Sequence, residues 1–398
     1  MNKLLKVKRD MNKEFVRNIA EKEIAMGVDV PYSREVDYIT FSRVLKDDRV
    51  VASYKMYWLL AILDEVQEGN TEIEFRKLIT RMIAYAWYPI SKFRLYFGAW
   101  DNLGKVVNYI SDTYNLKPNI NKGELIKFIY NSDDKELNKM IRNLTYNVPH
   151  KFLSPFYDGI AKEPPLKTVM ILSKEHKRWI YEIYRNSDEE NCIRIREGWD
   201  DYLKYNYKMI QGWVYYKLVC FLQKRNPNVP GIAMKLEAPL NRKLTTQTKI
   251  WTNIIERKNI NDLYTGLPFT KENYKENGNL SMDHFIPWSF VLHDQMWNLV
   301  PTFKNINSQK SDNLFNYEDY IEGLANLQYD AFCFVVDENK KDEIEEYRGI
   351  LRVPDAVAFK AEGSYEEFFK RYKDGTCPIY NIAANQGFKV VNGIYIRS

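Results

Sequence analysis

Cysteine is scarce in this chain: Cys192, Cys220, Cys333 and Cys377 lie far apart in 398 positions. No two show the paired spacing of a zinc site or a disulfide framework, which points to a reducing compartment and a fold without covalent staples. Long apolar runs are missing as well. The longest, Met56 to Leu63, is far below the roughly 20 residues that cross a bilayer. The basic stretch Met1 to Lys13 lacks the apolar core and small-residue cleavage site of a signal peptide. A soluble, cytoplasmic protein with no membrane partner is expected. A strong charge imbalance is absent too: 58 basic against 53 acidic side chains leave a net charge of +5, which permits a nucleic-acid partner without requiring one. The sequence holds no internal repeat and no low-complexity tract.

What is present is helical patterning and an abundance of aromatic residues. Ser53 to Gln67 is apolar on so much of its surface that it reads as a buried central helix. Thr71 and Glu74 have capping-box spacing and predict a helix start, after which Phe75, Leu78, Ile79, Met82, Ile83 and Trp87 form one stripe that Pro89 should stop. A long helix is predicted from about Arg194 to Arg225. Pro227, Pro230, Gly231 and Pro239 then break the pattern, and the domain boundary is expected there. Leu263-Tyr264-Thr265 and Leu280-Ser281-Met282 read as short strands, followed by a helix near Asn305. Helices return at Tyr317 to Leu327 and Tyr365 to Tyr372, before a strand-like end at Val390 to Ile396. The expected class is α+β, dominated by helix, in three parts: a helical N-terminal domain over 1–235, a mixed module over 236–325 and a mostly helical extension over 326–398.

Histidine is as scarce as cysteine, with only His150, His176, His284 and His293. His284 stands out by its neighbours. It lies in Ser281-Met282-Asp283-His284-Phe285-Ile286-Pro287-Trp288-Ser289-Phe290. Trp297-Asn298-Leu299-Val300-Pro301 follows, and then Asn305-Ile306-Asn307-Ser308-Gln309-Lys310-Ser311-Asp312. An Asp-His pair, one Asn fourteen residues after the His, another twenty-three after it and a Lys-Ser-Asp-Asn end form a composite pattern over roughly Asp262 to Leu314. The segment resembles the HNH nuclease family, and within it the HNH domains of RNA-guided CRISPR nucleases and of bacterial defence endonucleases.

The resemblance implies a ββα-metal fold and metal-dependent hydrolysis of DNA to 5′-phosphate and 3′-hydroxyl ends, with a role in antiviral defence. Under it, His284 is the general base, since a neutral imidazole titrating near 6.5 can take a proton from water. Asp283 and Asn307 supply hard oxygens suited to Mg²⁺ or Mn²⁺. Asn298 orients the loop that presents the base, and Lys310, three residues after Asn307, is expected to meet a phosphate. Many relatives bind a structural zinc through paired cysteines. Here no cysteine falls between Cys220 and Cys333, so no structural zinc is expected, and packing by Leu263, Phe269, Phe285 and Trp288 should replace it.

Blander assignments cover the remaining candidates. His293-Asp294 reads as a polar loop ahead of a second metal pair, Trp288 and Trp297 as packing residues ahead of base-stacking ones, His150 as structural and His176 as solvent-facing. Lys3, Lys6, Lys8 and Arg9 form a solvated terminus or a DNA-contacting arm, and the tyrosines around Tyr205 and Tyr216 pack or line a groove. Three alternatives to a DNA endonuclease stay open: a catalytically silent module that grips DNA or a partner, an RNA-guided nickase, and RNA as substrate. Against the nickase, no strand-rich segment with placed acidic residues flanks the motif on both sides. The helical domain is the candidate for target choice, a protein partner or a homodimer contact.

Overall fold

A computed structural model of the chain describes residues 27–238 and 244–393. The basic residues Lys3, Lys6, Lys8 and Arg9, the linker residues Pro239 and Asn241, and Ile394 to Ile396 of the expected last strand lie outside the described residues. The class is α+β and predominantly helical, with three small sheets among the described residues. No described helix is long and apolar enough to cross a membrane. The chain divides into two compact units, changing between them within residues 227–239. Those are the positions where Pro227, Pro230, Gly231 and Pro239 interrupt the helical pattern.

In the first unit, α1 (Tyr54–Gln67) buries every residue from Met56 to Leu63. An element apolar all round can satisfy its whole surface only from within a core. Next come β1 (Glu72–Glu74) and α2 (Phe75–Ser91). The expected capping box at Thr71 to Glu74 does not form. That stretch is an edge strand whose Ile73 pairs with Ile193, and Thr71 O accepts from Ile195 N at 2.8 Å. Pairing with a distant strand has taken the backbone groups that a local cap would use. Pro89 does not end α2 either; the helix runs on to Ser91 because its Ile90 side is buried. The long helix predicted from Arg194 is also divided. β2 (Tyr181–Arg185) and β3 (Asn191–Ile195) form an antiparallel hairpin, and the sheet order is β1-β3-β2. Gly198, at φ +80°, makes the turn into a short helix Trp199–Tyr205 before α3 (Tyr207–Arg225).

The second unit opens with α4 (Thr245–Lys258). Leu263-Tyr264-Thr265 is a turn and not the expected strand. Asp262 takes the Thr265 N–H and hydroxyl at 2.8 and 2.6 Å, and an isolated bridge joins Asn261 to Pro268. The hairpin lies one strand further along, in β4 (Leu280–His284) and antiparallel β5 (Leu299–Phe303), with Asp283 opposite Val300 and His284 opposite Leu299. α5 (Lys304–Lys310) follows immediately and packs back on both strands. β6 (Leu314–Phe315) later pairs in parallel with β7 (Val390–Val391).

Three long helices, α6 (Tyr317–Asp337), α7 (Lys341–Leu351) and α8 (Tyr365–Asn385), follow in this unit, with a short helix Ala356–Glu362 between the last two. Trp251, Phe285, Phe303, Phe332, Tyr347 and Phe368 belong to one core, so residues beyond 326 are built into the same body as the hairpin. α8 extends past the expected Tyr372 because Tyr380 and Ala383 continue its buried face.

The contact between α7 and α8 is close enough to reverse an ordinary substitution rule. A Cβ on Gly375 would stand 2.5 Å from the Ile350 carbonyl oxygen. Alanine favours a helix over glycine by about 1 kcal/mol, yet overpacking against backbone costs about 1–3 kcal/mol. Gly375→Ala is therefore expected to lower stability by up to about 2 kcal/mol in a denaturant titration. A gain would mean that the two helices separate without cost.

Candidate active site

β4 ends at the residues that carry the motif. Successive strand residues point to opposite faces, so Asp283 and His284 diverge unless the strand stops there. It does stop: Phe285 N donates to Asn298 O at 2.9 Å, and Pro287 then turns the chain out of the hairpin. Asn298 is 1% exposed and its amide closes on one residue across the loop. Oδ1 accepts from Ile286 N at 2.9 Å, and Nδ2 donates to Ile286 O at 2.8 Å. These two bonds fix the chain next to His284.

Asp283 is held from beneath. Its Oδ2 receives the Lys310 ammonium at 2.9 Å and the Tyr264 hydroxyl. Lys310 Nζ also donates to His284 O at 2.7 Å. The Lys310 side chain is fully buried, which conflicts with the phosphate contact expected for it. A helix that packs on the strands turns this face inward, and an ammonium there must meet a carboxylate or remain uncompensated. Burial, and then the Asp283 charge, pushes the Tyr264 phenol well above its ordinary range, so it stays a donor to the carboxylate.

Asn307 lies one helical turn before Lys310. Its Nδ2 donates to Ser281 Oγ at 2.8 Å and to Met282 O at 3.0 Å. With both amide hydrogens on β4, the side-chain oxygen is the remaining ligand atom, and Asp283 likewise has Oδ1 beyond the two bonds made by Oδ2. Two hard oxygens, one anionic and one neutral, fit a magnesium-like ion that keeps waters and phosphate in its other positions. Among the described residues no three His, Cys, Asp or Glu side chains converge as a metal site. An ion here would rest on Asp283 and Asn307.

His284 is 6% exposed, and its Nε2 lies 3.0 Å from Asp294 Oδ1. Asp294 lies in the loop expected to be merely polar, and there it partners the motif histidine. The ten-residue separation from His284 is bridged because Leu292, at φ +59°, turns the loop back. Beside it, His293 is pulled down to about 4 by burial and then by His284, and is neutral near pH 7.

The far helices reach the same loop. Glu346 on α7 accepts from Met296 N at 2.6 Å, Tyr372 on α8 donates to Trp297 O at 2.7 Å, and Gln328 on α6 donates to Leu299 O at 2.7 Å. The Tyr347 hydroxyl in turn holds Gln328 Oε1 at 2.6 Å. Sequence reasoning missed these contacts. Their only local signal is a glutamine and tyrosines among apolar helix positions.

Two measurements follow from this geometry. Removing one member of a buried ion pair costs about 3–5 kcal/mol, so Lys310→Met should unfold at clearly lower denaturant. Unchanged stability would return Lys310 to the surface. Glu346 is pushed up to about 7, chiefly by burial, with Glu343, Asp342 and Asp294 adding to the effect. A carboxyl raised in the folded state contributes stability below about 4.5, and that contribution is lost as pH rises through about 7. Melting temperature against pH should therefore slope downward across that window and flatten in Glu346→Gln. An identical slope in both proteins would place the proton elsewhere.

Residues 262–314 match the family model described as HNH endonuclease. No curated protein and no solved structure matches the chain. The matched stretch begins at the Asp262 turn, contains both strands and α5, and ends as β6 begins. The similarity of this chain to HNH endonucleases is thus carried by residues 262–314, set in a helical surround.

Proposed function

We propose that the chain is a metal-dependent endonuclease that hydrolyses DNA phosphodiester bonds, leaving 5′-phosphate and 3′-hydroxyl ends. The observation that supports this reading is the docking of α5 across β4 and β5, which seats Lys310 on Asp283 and the His284 carbonyl and sets Asn307 against Ser281 and Met282. His284 takes the proton from the attacking water. Asp294, 3.0 Å away, stabilises the imidazolium that forms and restricts the ring's orientation. Asn298 fixes the chain through Ile286, and Lys310 holds Asp283 in place.

Asp283 and Asn307 would hold Mg²⁺ or Mn²⁺. The chemistry such an ion supplies when bound is neutralisation of phosphate charge and stabilisation of the departing 3′-oxygen. One centre of this kind cuts one strand at a time, and a cut through both strands takes a homodimer or a second event. Residues 1–235 are assigned target choice or docking of a protein partner. Action in the cytoplasm, in prokaryotic defence against foreign DNA, rests on the likeness of the motif to that of defence endonucleases.

The test is cleavage of supercoiled plasmid with Mg²⁺, Mn²⁺ or EDTA. Nicking should require metal and fall by roughly 10²- to 10⁴-fold in His284→Ala, as expected for a lost general base. Asn307→Ala should be partly rescued by raising the metal concentration. DNA binding without cleavage, the same in wild type and His284→Ala, would favour a silent binding module.

A further inference from the structure

The first unit contains a cavity of about 720 Å³ that the nuclease reading does not use. Its volume lies within the range of about 300–1,000 Å³ usual for small-molecule sites. It opens beside the first turn of α1, and the short helix Val148–Phe152 forms another wall. Among its charged lining residues cations outnumber acids. Arg49, Lys55 and Lys151 face a single carboxylate, Glu163. Arg49 is engaged by Asp158 at 3.2 Å through Nη1 and more closely through Nη2, whereas Lys55 meets only the neutral Ser154 hydroxyl, at 3.0 Å. Burial, and then repulsion from Arg49, pulls the Lys55 ammonium down to about 8 despite the opposing attraction of Asp158 and Asp48, and Lys151 adds to the repulsion. Such a group gains from an anion brought against it.

Two further features give the cavity more than charge. His150 lines it, is 7% exposed, and its Nδ1 has no hydrogen-bond partner among the described residues. A buried polar atom left unmatched costs about 1–3 kcal/mol, a cost that a ligand donor or acceptor removes. Trp100, also on the wall, is 80% exposed, while its backbone carbonyl accepts from the Tyr54 hydroxyl at 3.3 Å. A flat ring on an anchored backbone beside a cationic floor is a stacking platform.

We infer that this cavity binds a nucleoside phosphate: the phosphate against Lys55 and Lys151, the base on Trp100, and a polar group of base or sugar on His150 Nδ1. The ligand is either a free nucleotide or one unit of a single strand, since both present the same chemistry. The inference does not depend on catalysis at His284, and binding can be read with cleavage suppressed.

The experiment is calorimetric titration of the full chain in EDTA with dAMP, with a short single-stranded oligothymidylate and with inorganic phosphate. At least one nucleotide probe should bind more tightly than phosphate. Trp100→Ala should weaken that binding by about fivefold or more, the lower end of what a lost base–aromatic stack costs. Lys55→Met should weaken it as well. Lys151→Glu, on an exposed side chain, repels the phosphate even if the Lys55 variant folds poorly. Binding of dAMP identifies a free nucleotide as ligand; binding of oligothymidylate alone identifies a strand. No saturable binding of either nucleotide probe, binding no tighter than that of phosphate, or binding indifferent to Trp100→Ala and Lys151→Glu would overturn the assignment.

Discussion

The ion pair between Lys310 and Asp283 lies beneath the hairpin, and the arrangement of the site depends on it. The Lys310 ammonium is removed from water and meets one carboxylate oxygen at 2.9 Å and the His284 carbonyl at 2.7 Å. Desolvation makes such a pair a poor source of net stability, but it is selective about geometry, because few positions of α5 satisfy both acceptors at once. With Lys310 seated there, the preceding helical turn places Asn307 against Ser281 and Met282. The helix is thereby registered on the strand by polar contacts, where apolar packing by Ile306 alone would tolerate sliding.

A second level of order comes from outside the hairpin. The stretch from Met296 to Leu299 donates or accepts backbone bonds with Glu346 of α7, Tyr372 of α8 and Gln328 of α6. These are bonds to main chain, so they constrain the path of the loop whatever its side chains are. Asp294 stands two residues before this clamp, and its reach to His284 follows from where the clamp holds the chain.

Legibility in the sequence followed the range of the interactions. Asp283, His284, Asn298 and Asn307 could be named because their spacing along the chain forms a pattern, and α1 because eight consecutive apolar residues leave it no exposed face. Features set by distant partners could not be read locally. Thr71 to Glu74 has the residues of a cap yet pairs with β3, and Leu263 to Thr265 has the residues of a strand yet is tied into a turn by Asp262. Lys310 looked like a surface cation because helix spacing says which residues share a face and not which way that face turns. The partnership of Asp294 with His284 has no local signal, because it depends on a reversal at Leu292, a residue type that seldom adopts positive φ.

The backbone clamp also bears on how this HNH-like segment can be inherited. The stretch that carries the recognisable pattern ends at Leu314, but the groups that secure its loop begin at Gln328 and extend to Tyr372. A recombination event that moved the pattern alone would separate the loop from three of its anchors. The unit that can pass intact between proteins is the whole body from α4 to β7, and exchange at the proline-rich crossing near residue 230 leaves that body whole. New partners for this segment are therefore more readily gained by replacing what precedes that crossing than by splicing within the second unit.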